Sequence, residues 1–237
     1  MSGITRAGVP RRWGVGLWQG LLPLGALALC PLAALLIGSD ADAPIARAEA
    51  LIAAERWLGI HVEPALHTWG RGQPALLMVA SVFYVVAHVP VAGWALTWTW
   101  FLRRDRFDVV RDTFLWTQAL LVAIYVLVPT APPPLVPGAG FTDTLTGLWG
   151  REFADSAHTL QSPFAAVPSG HVAFALIASG VFARLGDMAW LRAFGWAYAP
   201  VVVAVTVVTA NHLLLDAIAA ACVVGCAYRL AARRGRR

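Results

Sequence analysis

Long apolar stretches alternate along the whole chain with short charged or proline-rich segments. A helix that crosses the hydrocarbon core of a bilayer needs about 20 mainly apolar residues. Stretches of roughly that length recur, although the fourth and the last are only just long enough. They lie at about 14–38, 74–102, 110–129, 169–185, 190–208 and 211–230. The pattern predicts an all-α polytopic membrane protein, a bundle of six transmembrane helices.

The composition agrees with this prediction. Hydrophobic residues make up 59% of the 237 positions and charged residues only 13%, whereas a soluble domain carries about 25% charged residues. We therefore expect a single integral-membrane domain over residues 1–237. Cys222 and Cys226 have helical spacing within an apolar stretch, which favours small buried residues over a disulfide or metal ligands.

The first apolar stretch has two interpretations. Arg11 and Arg12 precede it and the segment SDADA follows it, an arrangement also found in secretory signals with a small-residue cleavage site. The apolar core of such a signal has about 7–15 residues, and this stretch is longer. We therefore expect a retained membrane anchor.

Every basic residue is arginine, and the arginines cluster at alternate ends of the apolar stretches. Cytoplasmic loops are enriched in Arg and Lys. If all clusters are cytoplasmic, the protein lies in the cytoplasmic (inner) membrane with both termini in the cytoplasm, and the loops at about 39–73 and 130–168 lie outside. The clustering also favours a membrane over nucleic acid as the partner. The clusters are Arg6, Arg11 and Arg12; Arg103, Arg104, Arg106 and Arg111; Arg184 and Arg192; and Arg233, Arg234, Arg236 and Arg237.

The two predicted outer loops differ in character. The first contains IARAEALIAAERWLGI, in which apolar and charged residues are interleaved. This pattern predicts an interfacial helix lying along the membrane surface, and a helix packed over the bundle is the alternative. The second loop begins PTAPPPLVPGAGF, where closely spaced prolines disfavour an α-helix and favour extended backbone.

The tetrapeptide PSGH at 168–171 marks the outer end of the fourth predicted helix, and that end is its N-terminus. Unpaired backbone N–H groups and the positive end of the helix dipole bind anions there, phosphate above all. Ser169 can cap the helix or donate to a phosphate oxygen. Gly170 allows a ligand to approach the backbone closely, and His171 follows it.

A second chemical motif lies in TANHLLLDAIAA, near the outer end of the sixth predicted helix. His212 and Asp216 are four residues apart and therefore share a helical face. Their predicted depth and side match those of His171. A carboxylate that accepts from one imidazole nitrogen fixes the tautomer and leaves the other nitrogen as a nucleophile.

We interpret these three residues as catalytic. His212 attacks phosphorus, Asp216 orients it and stabilises its charge, and His171 protonates the leaving oxygen. Water or an alcohol then resolves the phosphohistidine. Histidines that only make hydrogen bonds in the packed bundle, or a zinc site formed by the same residues, are the alternatives.

PSGH followed by H-x3-D resembles the type-2 phosphatidic acid phosphatase superfamily. This resemblance implies a six-helix bundle, a phosphohistidine intermediate, and no metal or other cofactor. The superfamily's fuller pattern includes K-x6-R-P and an arginine six residues before the second histidine. This chain has no lysine, and Thr206 stands where that arginine is expected.

Four stretches narrow the resemblance: AEALIAAERWLGIHVEPALHTW, PTAPPPLVPGAGFTDTL, FAAVPSGHVAFAL and TANHLLLDAIAA. Together, over about residues 46–225, they look like the inositolphosphotransferase-like branch, similar to aureobasidin-resistance type enzymes and their bacterial relatives. In that branch the second histidine stands in an NH or HH context without the upstream arginine, as Asn211 and His212 do here.

Other groups must then bind the phosphate. The favoured cation is Arg151, because its loop leads into PSGH. His158 and Asp143, in the same loop, are candidates for contact with the lipid headgroup. For these three residues the alternative is that they are solvated surface residues. The predicted substrate-binding residues are Ser169, Gly170, Arg151, Asn211, His158 and Asp143. Tyr84 and His88 form another i,i+4 pair, for which packing and a substrate channel are both open.

The inferences converge on a metal-independent lipid phosphate phosphatase or phosphotransferase. It would cleave a phospholipid or polyprenyl phosphate ester at the outer membrane face through phosphohistidine. Transfer requires an alcohol acceptor such as inositol, and hydrolysis requires only water. A non-catalytic lipid-binding membrane protein of the same fold is the alternative, and vanadium haloperoxidase chemistry is disfavoured by the missing basic residues.

Overall fold

The computed structural model describes residues 40–150 and 163–234, together with Leu22, Gly25, Leu36 and Ile37. The predicted first span, at about 14–38, lies almost entirely outside the described residues. Within the described part the backbone consists of helices, turns and connecting segments, with one isolated β-bridge and no strand. The all-α fold is confirmed.

A helix lies at each of the other predicted spans. Three of these helices, Arg104–Leu127, Ala189–Val208 and Leu214–Arg234, are long and apolar enough to cross a membrane, and the bent pair Pro74–Val86 and His88–Leu102 forms a fourth candidate span. Gly170–Leu185 is apolar but shorter. An integral membrane protein is confirmed, while the count of six crossings stays a prediction. The helices are α1 (Asp42–Leu58), α2 (Glu63–Arg71), α3 (Pro74–Val86), α4 (His88–Leu102), α5 (Arg104–Leu127), α6 (Thr144–Trp149), α7 (Gly170–Leu185), α8 (Ala189–Val208) and α9 (Leu214–Arg234).

Two helix starts differ from their predicted positions. The α5 helix begins at Arg104 rather than near residue 110, and its charged first turns are helical. Arg111 forms an ion pair with Asp108 at 3.0 Å, and this i,i+3 spacing stabilises a helix. The α9 helix begins at Leu214, so that His212 lies in the turn before it.

The α7 and α8 helices form a tightly packed hairpin. A side-chain Cβ on Gly195 of α8 would lie only 2.2 Å from the backbone nitrogen of Ala183 of α7. Small residues at such crossings let two membrane helices approach backbone to backbone. The hairpin therefore depends on the absence of a side chain at this position.

One end of the bundle, which we call the arginine end, gathers two of the predicted cytoplasmic clusters. The Arg103 guanidinium donates to the carbonyl of Leu185 at 2.9 Å and forms an ion pair with Asp187. Arg192 donates to the carbonyl of Asp187 at 2.9 Å. The two clusters are therefore neighbours in space, as a shared side of the membrane requires.

The opposite end, which we call the site end, is covered by the first loop. That loop folds into two helices, α1 and α2. The buried face of α1 includes Ala48, Ile52 and Glu55 and packs on the bundle, whereas Trp57 is 85% exposed. Packing over the bundle is thus observed, and a position in the membrane interface stays a prediction.

The second loop is partly extended, as its prolines predict, and leads back to α7. Thr130 pairs with Ala165 in an isolated parallel bridge, in which the Thr130 N–H donates to the carbonyl of Phe164 at 2.7 Å. A 3-10 turn at Pro133–Leu135 and the short α6 helix interrupt the extended backbone. This arrangement brings the segment before PSGH against the end of α5.

Candidate active site

The α7 helix begins within PSGH, and its start is tied to the second motif. Ser169 is fully buried, and its Oγ accepts the backbone N–H of Val172 at 3.3 Å, as an N-cap does. The Ser169 N–H donates to the backbone carbonyl of Asp216 at 3.2 Å. The two motifs, separated by about 40 residues of sequence, are therefore joined by a direct backbone hydrogen bond.

His212 and Asp216 form the pair that their spacing predicts. The Nδ1 of His212 lies 3.2 Å from Oδ2 of Asp216, and the same oxygen accepts the N–H of Leu213 at 2.9 Å. Both side chains are buried. Although His212 precedes α9, the carboxylate reaches back over the first helical turn, and this contact leaves Nε2 of His212 as the nitrogen available for chemistry.

The two predicted catalytic histidines come from separate segments and meet at the site end. The ring centroids of His171 and His212 are 6.1 Å apart. They are 8% and 5% exposed, respectively. The two rings are therefore neighbours, although their positions in the sequence are about 40 residues apart.

Two further side chains contact His171 from the junction of α3 and α4. The Tyr84 ring stacks on the His171 ring with centroids 4.0 Å apart, and His88 lies 4.1 Å from the same ring. The α3–α4 pair bends by 49° at this junction. The i,i+4 spacing of Tyr84 and His88 did not place these two residues at the site. The bend and the packing of α3 and α4 bring them there.

The structure also describes three other predicted binding residues, Gly170, Asn211 and Asp143, and shows which protein groups they contact. A Cβ on Gly170 would lie 3.3 Å from the Tyr125 hydroxyl, so the visible role of this glycine is close packing on α5. The Asn211 amide donates to Oγ1 of Thr209 at 2.7 Å. Asp143 caps α6 by accepting two of its backbone N–H groups.

Two predicted residues, Arg151 and His158, lie outside the described residues. Among the arginines of the described first loop, Arg56 and Arg71 are exposed. Arg47 is partly buried and donates to the carbonyl of Pro129 at 2.7 Å. The cation that binds phosphate therefore stays a prediction.

Thr206 occupies the position where the superfamily pattern has an arginine. Its side chain is buried, and Oγ1 donates to the carbonyl of Val203 at 2.9 Å, within its own helix. Its carbonyl accepts the N–H groups of Asn211 and His212. This residue therefore shapes the turn that carries His212 and supplies no positive charge.

One group of described side chains has a geometry that could hold a metal ion. The ligand atoms of Glu55, His61 and Glu63 lie within 4.8 Å of one another. Both carboxyl groups are fully buried, and the Nδ1 of His61 is 3.2 Å from an oxygen of each. Burial raises the pKa of Glu55 above its usual value. His171, His212 and Asp216, the residues of the zinc alternative, do not form such a group.

Comparison with protein families matches the chain to the PAP2 superfamily over residues 49–230. No curated protein and no solved structure matches the chain significantly. The matched region contains both histidine motifs and most of the helices described above. The chain belongs to the PAP2 superfamily, the type-2 phosphatidic acid phosphatases.

Membership in this superfamily supports a phosphatase-type function on a phosphorylated lipid in a membrane. It supports a phosphoric ester hydrolase in general. The choice between hydrolysis and transfer, and the branch within the superfamily, belong to the proposal that follows.

Proposed function

We propose that the protein cleaves a lipid phosphate ester through a phosphohistidine formed on His212. The observation that carries this proposal is the meeting of His171 and His212, with ring centroids 6.1 Å apart, beside the buried Asp216. Burying three ionisable groups together in a membrane protein is costly, and groups retained at that cost favour a functional site.

The proposed chemistry proceeds in two steps. In the first, Nε2 of His212 attacks phosphorus, the bond to the lipid oxygen breaks, and His171 gives that oxygen its proton. In the second, His171 accepts a proton from the incoming hydroxyl, which takes the phosphoryl group from His212. Asp216 keeps Nδ1 of His212 protonated and stabilises the positive charge of the ring.

Phosphate recognition is proposed to come from several sources. The N-terminus of α7, with Ser169 and Gly170, offers backbone N–H groups and the positive end of its dipole. Arg151 is the proposed cation. Asn211, His158 and Asp143 are proposed to contact the headgroup.

The proposed substrate is a phospholipid or a polyprenyl phosphate, at the outer face of the cytoplasmic membrane, with both termini in the cytoplasm. The inositolphosphotransferase-like resemblance favours transfer to an alcohol such as inositol. A transferase must exclude water while the phosphohistidine waits for its acceptor, and the low exposure of both histidines supports that requirement.

The first test replaces the nucleophile. We expect His212→Ala to lower phosphate release from phosphatidic acid and polyprenyl phosphate by about 10³-fold or more, because the covalent intermediate cannot form. The matched control is Cys222→Ala, an exposed position on α9, which should leave turnover unchanged. Release of phosphate by His212→Ala at the wild-type rate would exclude the mechanism.

The same assay separates the remaining alternatives. An inositol monophosphate formed when inositol is present identifies a transferase, and free phosphate alone identifies a phosphatase. Turnover should persist in EDTA, since no metal takes part in the proposed steps. Tight lipid binding without turnover, unchanged in His212→Ala, would instead support the non-catalytic lipid-binding alternative.

A further inference from the structure

The turn between α8 and α9, at residues 209–213, carries His212 and includes an uncommon backbone conformation. Ala210 has a φ of 58°, in the left-handed region that residues with a side chain rarely adopt. Such a conformation persists where the surrounding contacts determine it. The contacts that hold this turn therefore matter for the position of His212.

On the α9 side, three consecutive backbone N–H groups are each accepted by a carboxyl group. Leu213 donates to Asp216 itself. Leu214 donates to Oε1 of Glu63 at 2.9 Å, and Leu215 donates to Oε1 of Glu55 at 2.8 Å. These are orphan donors at a helix start, and two of them are satisfied by residues about 150 positions earlier in the chain.

On the α8 side, one residue from each of the two loops holds a carbonyl group. The Nδ1–H of His67, a fully buried residue of α2, donates to the carbonyl of Val208 at 2.9 Å. Oγ1 of Thr144 donates to the carbonyl of Thr209 at 2.9 Å. A Cβ on Gly70 would lie 2.6 Å from the Val208 side chain, so α2 lies directly against this end of α8. Hydrogen bonds and packing therefore hold the turn on both sides of His212.

We infer that Glu55 and Glu63, which we call the carboxyl clamp, are positioning residues that set the place of His212. Because the proposed function makes His212 the nucleophile, the inference deepens that proposal and rests on it. Each carboxyl group fixes one amide within three residues of His212. A displacement of about 1 Å at a reacting group can cost about 100-fold in rate, so loss of one bond should slow the chemical step more than substrate binding.

The clamp needs a hydrogen-bond acceptor and not a charge, and this suggests a pair of variants. Glu63→Gln keeps a carbonyl oxygen where Oε1 stands and should retain the bond to Leu214. Glu63→Leu has a similar volume and no acceptor. The corresponding substitutions Glu55→Gln and Glu55→Leu test the bond to Leu215 in the same way. The matched control is Glu49→Leu, at an exposed position of α1.

Two measurements test the inference together. Hydrogen exchange of a peptide covering residues 208–216 should speed up in Glu63→Leu and remain protected in Glu63→Gln and Glu49→Leu. In the same proteins, kcat for phosphate release should fall roughly 10- to 100-fold in Glu63→Leu, with KM within about twofold of wild type. Glu63→Gln should stay within about threefold of wild type in both constants.

Several results would overturn the clamp. Unchanged exchange in the Leu variants would show that the carboxyl groups do not hold the turn. Faster exchange with an unchanged kcat would show that the turn does not need holding for catalysis. Equal loss of kcat in Glu63→Gln and Glu63→Leu would show that the acceptor is not what matters.

Metal binding and failure of the proposed function can be told apart from failure of the clamp. If an ion between Glu55, His61 and Glu63 held the turn, EDTA would speed its exchange in the wild-type protein, whereas the clamp predicts no change. If the wild-type protein turns over no lipid phosphate, the proposed function and the positioning role fail together, and exchange in the Leu variants still reports whether the contact exists.

Discussion

At the scale of single residues, the buried carboxyl groups differ in the groups that they contact. Asp216 contacts an imidazole and a backbone amide, whereas Glu55 and Glu63 each contact an amide of α9 and share the neighbourhood of His61. Removing any of these groups from water is expensive, and hydrogen bonds offset that cost. The cost should be visible as a dependence of stability on pH.

Glu55 gives such a pH prediction. Its folded-state pKa is raised by burial above the usual value of 4.5, so the folded protein holds this proton more tightly than the unfolded chain does. The stabilisation is fully present below about pH 4.5 and is lost as pH rises through the folded pKa. The apparent Tm of the wild type relative to that of Glu55→Gln should therefore be highest at low pH and should fall as the pH rises.

Thermal unfolding in detergent from about pH 4 to pH 8 checks this expectation. The groups that face Glu55 are His61, Glu63 and the Leu215 amide, so the difference in Tm reports the titration of Glu55 together with its interactions with these groups. A difference in Tm that stays constant across the range would contradict a raised pKa.

What the sequence could predict at this scale follows from distance along the chain. His212 and Asp216 lie four residues apart, and PSGH is a local motif at a helix start, so their pairing and capping are readable from spacing. The contact of Tyr84 with His171 and the bonds from Glu55 and Glu63 to α9 join distant segments. No local pattern encodes these contacts; acidic residues interleaved with apolar ones in the first loop were the available signal.

At the scale of secondary-structure elements, two features of the bundle determine where the histidines lie. The bend between α3 and α4 sets the depth at which Tyr84 and His88 face α7. The tight α7–α8 hairpin fixes α7 itself. The hydrophobic pattern predicted one span over 74–102 and gave no bend. Pro90, close to the break, was the available signal, because a proline inside a helix removes a backbone hydrogen bond and kinks the helix.

The α7–α8 hairpin gives a stability prediction. We expect Gly195→Ala to lower the free energy of unfolding by about 1–3 kcal/mol, because the new methyl group overlaps the backbone of Ala183 and the helices must separate. Gly180→Ala on α7 is the matched control, since no atom lies within 4 Å of a Cβ placed there. Thermal unfolding in detergent measures both, and equal stability of the two variants would contradict this packing.

At the scale of the whole molecule, the described surface is that of a protein surrounded by lipid. Large apolar side chains on the spans are exposed, among them Val79, Phe101, Leu127 and Trp196, whereas polar backbone groups are satisfied inside the helices. Two of the predicted cytoplasmic arginine clusters lie together at one end of the described bundle, and the histidine motifs lie toward the other. Composition and the positions of arginine were sufficient to predict this division.

Sidedness is the prediction that belongs to this scale. In a variant without its native cysteines, Arg71→Cys at the site end should react with a membrane-impermeant maleimide added to intact cells. Asp187→Cys at the arginine end should react only after the cells are permeabilised, because arginine-rich loops stay in the cytoplasm. Both positions are exposed, and the reverse labelling pattern would contradict the proposed orientation.

The backbone hydrogen bond from Ser169 to Asp216 has a mechanical consequence. It links the beginnings of α7 and α9 at the level of the imidazoles, so His171 and His212 should move together when the bundle flexes. Bilayers of different thickness will tilt the surrounding helices to different degrees, yet the distance between the two imidazole rings should stay constant.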